Sequence, residues 1–324
     1  MAFPRISLRC YASFLALAAL PSLIEAQGGP SCPPEPVAPT AAQMAEGMRN
    51  ARNHGFLWRI SKAGRTSFLY GTIHVGRLDW MFPGPAIIDG IRSSDMLALE
   101  LDVLDPGIVQ RLRLGMAPRP GQALPKSLND RLRAQLRAAC LSESLLTEMS
   151  PEMAVTTASM MVARRQGLEP SYGIDSFLAG MAHGIGKPVA SLETPELQMK
   201  MLSGSSPKET EEIVAGTLDE LEKGEAEPML ERLATVWKES RLSELEDYEK
   251  WCECLDTATD RAMMKRLLND RNPGMADGID KLHASGKTVF AAVGSLHMIG
   301  KIGLPALLAQ RGFKVERVDF NPAK

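Results

Sequence analysis

The sequence predicts an α/β fold of mixed α+β character, in which a central mixed β-sheet is built from both ends of the chain and carries large helical insertions. Two observations lead to this prediction. Short β-favouring runs occur near both ends, at residues 56–73 and 288–320. Most of the chain between them shows helical patterning. We expect a single domain over residues 41–324, because α/β units of roughly 250 to 300 residues do occur as one domain.

The first 40 residues are expected to lie outside this domain. Residues 1–26 combine two arginines, a short apolar run and a small residue at a cleavage point, as in a secretory signal peptide. The apolar run is shorter than the about 20 residues of a membrane span, and an uncleaved anchor is the alternative. Residues 27–40 are rich in proline and glycine and predict an extended linker. We therefore expect an exported protein, periplasmic or extracellular, with no stable membrane span after cleavage.

The strands are expected in a fixed order along the chain. A hairpin is indicated by two β-favouring runs, 56–61 and 66–73, on either side of Lys62-Ala63-Gly64-Arg65. The later strands are expected at residues 95–103, 187–192, 288–293 and 314–320.

Proline, serine and glycine mark the helix ends between these strands. The helical segments are expected at residues 85–93, 106–166, 172–184, 195–284 and 304–310, with starts at Ser127, Ser150-Pro151 and Ser206-Pro207 and stops at Gly167 and Gly312. Two histidines, His183 and His283, fall at predicted helix C-termini, where the helix dipole favours imidazolium. We assign no metal role to them.

Charge excludes one class of partner. The formal net charge is −2, and the 37 basic residues are scattered along the chain. The basic patch or stripe typical of nucleic-acid binding is missing, so we expect no DNA or RNA partner. A small-molecule or peptide substrate remains, and the sequence does not set the oligomeric state.

Four cysteines follow the predicted signal peptide: Cys32, Cys140, Cys252 and Cys254. An even number in an exported chain predicts disulfide bonds, with a zinc site made by all four as the alternative. A direct bridge across the C-x-C of Cys252 and Cys254 is expected to be strained. We therefore expect at least one of these two to pair with Cys140 or Cys32.

Two histidines occupy matching positions in an internal near-repeat. Gly71-Thr72-Ile73-His74 and Gly294-Ser295-Leu296-His297 each follow an apolar strand. Glycine at a strand end lets the backbone turn sharply, and a histidine three residues on can point into the crevice at the carboxyl ends of the strands. Since imidazole is the commonest metal ligand in proteins, His74 and His297 are predicted metal ligands. The alternative for each is a hydrogen-bonded core histidine.

Glu100 is the predicted third ligand. It lies near the end of the predicted strand 95–103, where a buried carboxylate needs a cation, hydrogen bonds or solvent. Two imidazoles and one carboxylate leave open positions on a divalent metal such as Zn, Mn or Co. An ion pair between Glu100 and an arginine such as Arg271 is the alternative. Strand alternation puts Asp102 on the face of Glu100, as a carboxylate that supports or bridges the ligands.

Several motifs together resemble the TraB/GumN family. They are the paired G-x-x-H, LELD at 99–102, YGID at 172–175, LET at 192–194 and VGSLHMIGKIGLPALLAQRGF at 293–313, and the resemblance spans about residues 56–320. The family includes the Tiki proteins, metal-dependent proteases whose paired G-x-x-H motifs and a glutamate are associated with activity. Its fold is similar to that of the erythromycin-esterase and ChaN-like proteins. The resemblance implies that His74 and His297 are the paired histidines and Glu100 the glutamate.

Metal-assisted hydrolysis of a peptide bond or another carbonyl compound is the function that this resemblance implies. A carboxylate near the metal takes a proton from the attacking water in such a reaction. Glu193 is the predicted base, with a helix-start carboxylate as the alternative. Asp175 is expected to orient a histidine, and Arg271 to bind a substrate carboxylate or stabilise an oxyanion, with purely structural roles as the alternative for both.

Two other functions are consistent with the same residues. A non-catalytic protein would use the crevice to hold a metal or a small ligand and would need no base. An accessory factor in surface polysaccharide or peptide-signal handling would need neither a metal nor a base, and should expose a large apolar patch.

Overall fold

Six strands form one mixed sheet in the computed structural model, which describes residues 32–252, 254–255 and 258–320. The strands are β1 (Phe56–Lys62), β2 (Arg65–Thr72), β3 (Met96–Leu99), β4 (Val189–Ser191), β5 (Val289–Gly294) and β6 (Lys314–Val318). Their order across the sheet is β4-β3-β5-β2-β1-β6. The pairs β2–β5, β5–β3 and β3–β4 are parallel, whereas β1 is antiparallel to β2 and to β6. The predicted mixed sheet, drawn from both ends of the chain, is confirmed.

Strand β5 lies in the middle of the sheet although it comes late in the chain. All six of its residues, Val-Phe-Ala-Ala-Val-Gly, are buried. A continuous apolar run of this kind is typical of a parallel strand that is covered on both faces. Its register with β2 pairs Gly71 with Val293 and Thr72 with Gly294. The two G-x-x-H elements therefore leave the sheet side by side.

A tight turn joins β1 to β2. Ala63 and Gly64 both have positive φ, at 52° and 74°, and Lys62 pairs with Arg65. Positive φ at both central residues is what a two-residue type I′ hairpin requires. The predicted hairpin is confirmed.

Helices account for most of the remaining described chain, and they are α1 (Ala41–Asn50), α2 (Pro85–Ser93), α3 (Pro106–Met116), α4 (Lys126–Ala138), α5 (Leu145–Glu148), α6 (Pro151–Met161), α7 (Ile174–Gly184), α8 (Pro195–Leu202), α9 (Pro207–Lys223), α10 (Ala226–Lys238), α11 (Leu242–Glu246), α12 (Tyr248–Trp251), α13 (Ala258–Met264), α14 (Asn272–Ala284) and α15 (Leu304–Gln310). Short 3-10 helices cover Val162–Gln166, Pro170–Tyr172 and Ser295–Met298, and a π-helical turn covers Lys265–Asn269. The predicted starts at Ser150-Pro151 and Ser206-Pro207 are confirmed, and Ser206 accepts a hydrogen bond from the Glu209 amide. No helix of the described residues is long and apolar enough to span a membrane.

The strand expected over residues 95–103 is shorter in the structure. β3 ends at Leu99, and the chain turns soon afterwards, where the Asp105 amide donates to the Asp102 carbonyl at 3.0 Å. Strand alternation therefore does not extend to Asp102. The supporting role expected of Asp102 stays a prediction.

The predicted signal peptide, residues 1–26, and the first part of the predicted linker, residues 27–31, lie outside the described residues. Residues 32–39 contain no helix or strand, and a disulfide and hydrogen bonds hold them against the neighbouring residues. Cys32 is bonded to Cys140. Arg164 Nη2 donates to the Pro34 carbonyl at 2.8 Å, and the Tyr172 hydroxyl donates to the Val37 carbonyl at 3.3 Å.

Cys252 and Cys254 are bonded to each other, so the expected long-range pairing of one of them is wrong. Their Cα atoms are 5.0 Å apart, which lies within the range that a disulfide bridges. The Cys254 amide also donates to the Cys252 sulfur at 3.2 Å. The long-range disulfide of the described chain joins Cys32 and Cys140 instead.

Candidate functional site

The two G-x-x-H elements meet at the carboxyl ends of β2 and β5. The Ser295 hydroxyl donates to the Thr72 carbonyl at 2.6 Å and ties one element to the other. Trp237 of α10 donates its indole N–H to the Gly71 carbonyl at 2.8 Å. These bonds fix the backbone on which both histidines are carried.

His74 is buried and is oriented by Asp175 of α7. Its Nδ1 lies 2.8 Å from Asp175 Oδ2, while Asp175 Oδ1 accepts a hydrogen bond from the Thr72 hydroxyl at 2.5 Å. Because a carboxylate only accepts, Nδ1 carries the proton, and a neutral His74 holds its lone pair on Nε2. Nε2 is buried and has no hydrogen-bond partner among the described residues.

His297 is oriented in the same sense by Asn272, the first residue of α14. His297 Nδ1 lies 2.5 Å from Asn272 Oδ1, and the Asn272 amide nitrogen donates to the Ile302 carbonyl at 2.7 Å. The second bond fixes which end of the amide faces the histidine. His297 Nδ1 is therefore the donor, and in the neutral ring Nε2 carries the lone pair.

A buried ion-pair network surrounds Glu100. Arg271 Nη2 donates to both Glu100 and Glu193, and Arg271 Nε donates to Glu193 Oε1 at 2.8 Å. Gln198 of α8 donates to Glu193 Oε2 at 3.1 Å. Two carboxylates thus share one guanidinium, which leaves a buried negative charge that a further cation would balance. The alternative that the sequence left open for Glu100, an ion pair with Arg271, is present.

Gly294 is the point around which these groups converge. Its amide donates to Glu100 Oε1 at 2.8 Å. A Cβ at Gly294 would lie 3.2 Å from Glu100 Oε1, 3.4 Å from His74 Nε2 and 3.7 Å from His297 Cδ2. His74 Nε2 and Glu100 Oε1 are 3.9 Å apart. A side chain at this position would crowd Glu100 and contact both histidine rings.

The two histidines have pKa values that are shifted in opposite directions. Burial lowers the pKa of His74, but the charge and hydrogen bond of Asp175, helped by the charge of Glu100, outweigh burial and raise it. Burial together with the charge of Arg271 holds the pKa of His297 well below its usual value. For Glu100, burial opposes ionisation, but Arg271, His74 and the Gly294 amide lower its pKa. The cluster therefore favours an ionised Glu100 and a neutral His297.

Imidazole nitrogen and carboxylate oxygen are donor types that divalent metals such as Zn, Mn or Co accept as ligands. Two imidazoles present Nε2, and Glu100 presents an oxygen beside the buried Nε2 of His74. The 3.9 Å between His74 Nε2 and Glu100 Oε1 is wider than the about 3.4 Å that separates two ligands of a tetrahedral zinc with bonds of about 2.1 Å. Among the described residues, no three or more His, Cys, Asp or Glu side chains form a group arranged to hold a metal ion.

The structure brings most of the sequence-predicted residues together. His74, Glu100, His297, Asp175, Glu193 and Arg271 belong to one hydrogen-bonded or directly neighbouring set. Asp102 instead contacts His183 Nε2 at 2.8 Å and the Leu104 amide at 3.2 Å. Sequence reasoning missed Asn272 and Gln198, because neither lies in a recognisable motif. Thr72 and Ser295 had a signal, since both hold the second position of a G-x-x-H element.

A small cavity of about 20 Å³ lies beside His74. Its walls include Leu230, Leu233 and Trp237 of α10 and Leu296 of the second element. A space of this size holds about one water molecule. His74 therefore lies next to a mostly apolar cavity that is large enough for one water molecule.

The comparisons with known proteins place the chain in a family. The profile of the TraB/PrgY/gumN family matches residues 56–317, which is most of the chain. No curated protein and no solved structure gave a match. The matched range begins with β1, ends in β6 and includes both G-x-x-H elements. The chain therefore belongs to the TraB/PrgY/gumN family.

Proposed function

We propose that this protein is an exported metal-dependent hydrolase, peptidase-like in its chemistry, and that His74, His297 and Glu100 hold a divalent metal. The observation that carries the proposal is the matched orientation of the two imidazoles. Asp175 and Asn272 each accept a hydrogen bond from Nδ1–H, so both rings present Nε2 as the donor atom. Hydrogen bonding of the remote ring nitrogen is the usual arrangement for a metal-ligating histidine.

In this proposal a bound divalent metal supplies Lewis acidity, which polarises a carbonyl group and acidifies a bound water. The residues of the chain position the ligands. Asp175 and Asn272 fix the two rings, while the Gly294 amide and Arg271 hold the Glu100 carboxylate. These contacts support a preorganised ligand set.

Glu193 is the proposed base, and Arg271 is proposed to bind a substrate carboxylate or an oxyanion. Both Glu193 oxygens accept hydrogen bonds from Arg271, and one also accepts from Gln198. These hydrogen bonds compete with a proton from water for the lone pairs of Glu193. Substrate binding by Arg271 would loosen the same pair, which would couple the two proposed roles.

Metal content tests the ligand set. We expect purified mature protein loaded with Zn, Mn or Co to retain about one ion per chain in elemental analysis, and His74→Ala and His297→Ala to lose it. His183→Ala is the matched control, because His183 contacts Asp102 and lies outside the ligand set. Wild type that holds no divalent metal under any of these loadings would refute the proposal.

Cleavage of a peptide library by the metal-loaded protein tests the hydrolase step. We expect products whose formation is abolished in Glu100→Gln, which keeps the size of the side chain and removes its charge. The control, Glu196→Gln, changes a glutamate whose side chain is 62% exposed and pairs with Arg111. Equal cleavage by wild type and Glu100→Gln would exclude this site as the source of the activity.

Export is a separate part of the proposal, and it is motivated by the charged and apolar pattern of residues 1–26. We expect the protein recovered from the periplasm or the medium to begin close after Ala26. N-terminal sequencing measures this directly. A chain retained in the cell with Met1 intact would overturn it.

A non-catalytic metal-binding protein is the second candidate function. The observation that favours it is the engagement of Glu193, whose side chain is 1% exposed and whose two oxygens are both bonded. A binding protein needs no spare base. Metal that is bound by wild type and lost in the histidine variants, without any peptide cleavage, would select this function.

A further inference from the structure

A second cavity, of about 380 Å³, shares no lining residue with the histidine cluster. Residues 35–39 form one wall, and the others are formed by Met81, the C-terminal part of α6, Arg164 and residues 169–172. Its lining is mostly apolar and includes Val37, Met81, Met160 and Met161. Volumes of about 300 to 1,000 Å³ are typical of small-molecule sites.

One buried cation lines this cavity. The Arg164 side chain is 1% exposed, its Nε donates to Glu169 Oε1 at 2.8 Å, and its Nη2 donates to the Pro34 carbonyl at 2.8 Å. Its Nη1 is buried and has no hydrogen-bond partner among the described residues. The Glu35 carboxylate, which is mostly exposed, lies 3.8 Å from Nη1, beyond hydrogen-bonding distance. A buried donor without an acceptor is unfavourable, so this N–H suits a ligand oxygen.

The charges around Arg164 favour an uncharged ligand oxygen over an anionic one. Two carboxylates, Glu35 and Glu169, already face the single guanidinium of Arg164. An anionic head group would meet their repulsion, whereas an uncharged carbonyl oxygen can accept from Nη1 without it. The flexible side chains of Met81, Met160 and Met161 adapt well to an unbranched apolar chain.

We propose that this cavity binds a small uncharged amphiphile, an alkyl chain that ends in an amide or another carbonyl group, with its oxygen on Arg164 Nη1. The proposal does not rest on the hydrolase function. The wall of residues 35–39 is held in place by the Cys32–Cys140 disulfide and by the Tyr172–Val37 hydrogen bond. The cavity is thus formed jointly by residues 35–39, which precede α1, and by α6 and the 3-10 helices that follow it.

Ligand-observed NMR with full-length mature protein tests the proposal, using octanamide, octanoate and octylammonium as probes. We expect octanamide to bind at least about tenfold more tightly than octanoate, because of the two carboxylates. Octylammonium is expected to bind more weakly than octanamide, since it offers Nη1 no acceptor and meets the positive charge of Arg164, even though the two carboxylates attract it. Octanamide that binds no better than either charged probe would overturn the proposal.

Two variants locate the binding. Arg164→Lys keeps the charge beside Glu169 and removes the guanidinium, both Nη1 and the Nη2 that donates to the Pro34 carbonyl, and we expect it to weaken octanamide binding about tenfold. Ser171→Trp adds bulk at an exposed residue that lines the cavity, and it should block octanamide without disturbing buried packing. Arg165→Lys, at the exposed neighbouring arginine, is the control. Wild-type affinity in both Arg164→Lys and Ser171→Trp would refute the site, and thermal unfolding of each variant reports whether it is folded.

Discussion

At the scale of single residues, the two matched histidines differ in their surroundings although their sequence motifs are alike. His74 faces a carboxylate through Nδ1, whereas His297 faces a neutral amide. The difference follows from the elements that reach them, α7 in one case and α14 in the other. One motif thus yields two imidazoles of different basicity.

An NMR titration of the metal-free protein should resolve this difference. We expect the pKa of His74 to lie above 6.5 and that of His297 well below it. The His74 contribution to the free energy of unfolding is then fully present below pH 6.5 and is lost as the pH rises through its raised folded-state pKa. The His297 contribution depends on pH in the opposite direction, because the folded state favours its neutral form. It is present above pH 6.5 and is lost as the pH falls towards the lowered pKa of the folded state. A His297 that titrates above His74 would contradict the assigned partners.

Gly294→Ala should weaken metal binding. The added Cβ would approach Glu100 Oε1 to 3.2 Å, so the carboxylate must shift by a few tenths of an ångström, and it would contact His74 Nε2 at 3.4 Å. Loss of ligand positioning reduces metal affinity by about 10 to 100-fold. Gly274→Ala is the matched control, because a Cβ there meets nothing within 4 Å. Competition against a chromogenic chelator measures both, and equal affinities would show that Gly294 does not shape the site.

The sequence predicted both motif histidines and Glu100, and it missed Asn272 and Gln198, which lie in no motif. His74, His297 and Glu100 follow strands at positions where the carboxyl end of a parallel sheet gathers side chains, so their neighbourhood could be inferred. Asn272 acts on His297 only because α14 and the second G-x-x-H element pack together, and one sequence carries no sign of that contact. The contacts of Asp102 could not be predicted, because the turn after it depends on hydrogen bonds to the backbone.

At the scale of elements, the central strand β5 joins the sheet to the helices that pack on it. Phe290 of β5 is fully buried, and its ring lies 5.9 Å from the Tyr70 ring and 6.1 Å from the Phe68 ring, centre to centre. Gly90 of α2 approaches the same ring, since a Cβ at Gly90 would lie 2.8 Å from it. The side chain therefore joins β2, β5 and α2.

Phe290→Ala is expected to lower the free energy of unfolding by about 3 to 5 kcal/mol, through lost burial and the cavity left behind. Ile185→Ala, at a side chain that is 62% exposed, should change it by less than about 0.5 kcal/mol. Chemical denaturation measures both variants. A similar small effect for the two would mean that β5 is not packed as described.

Element ends were predictable where a local signal marks them. Pro85–Ser93 and Leu304–Gln310 are observed as expected, because proline occupies an early helical position in each. The end of β3 at Leu99 was not predictable, since the apolar pattern continues through Leu101 and Val103. The order of strands also needed the structure. Alternation shows which face of a strand is buried, but not which strand it pairs with.

At the scale of the whole molecule, the two disulfides of the described chain differ greatly in the loops they close. Cys32 and Cys140 are 108 residues apart, whereas Cys252 and Cys254 are 2 apart. Chain-entropy arguments give about 4 to 5 kcal/mol for the long loop and about 1 to 2 kcal/mol for the short one. We expect Cys32→Ser/Cys140→Ser to lower the unfolding midpoint in denaturant much more than Cys252→Ser/Cys254→Ser. Equal losses would show that loop closure does not set the contribution of these bonds.

The central position of β5 also constrains the order in which the chain can fold. β2 and β3 are separated in the finished sheet by β5, which begins at Val289. During synthesis both strands leave the ribosome long before the strand that lies between them. The helices can form locally in this interval, but pairing across such a sequence separation is slow. The chain must therefore avoid joining β2 directly to β3, and the sheet and its histidine cluster are completed only once nearly the whole polypeptide has been made.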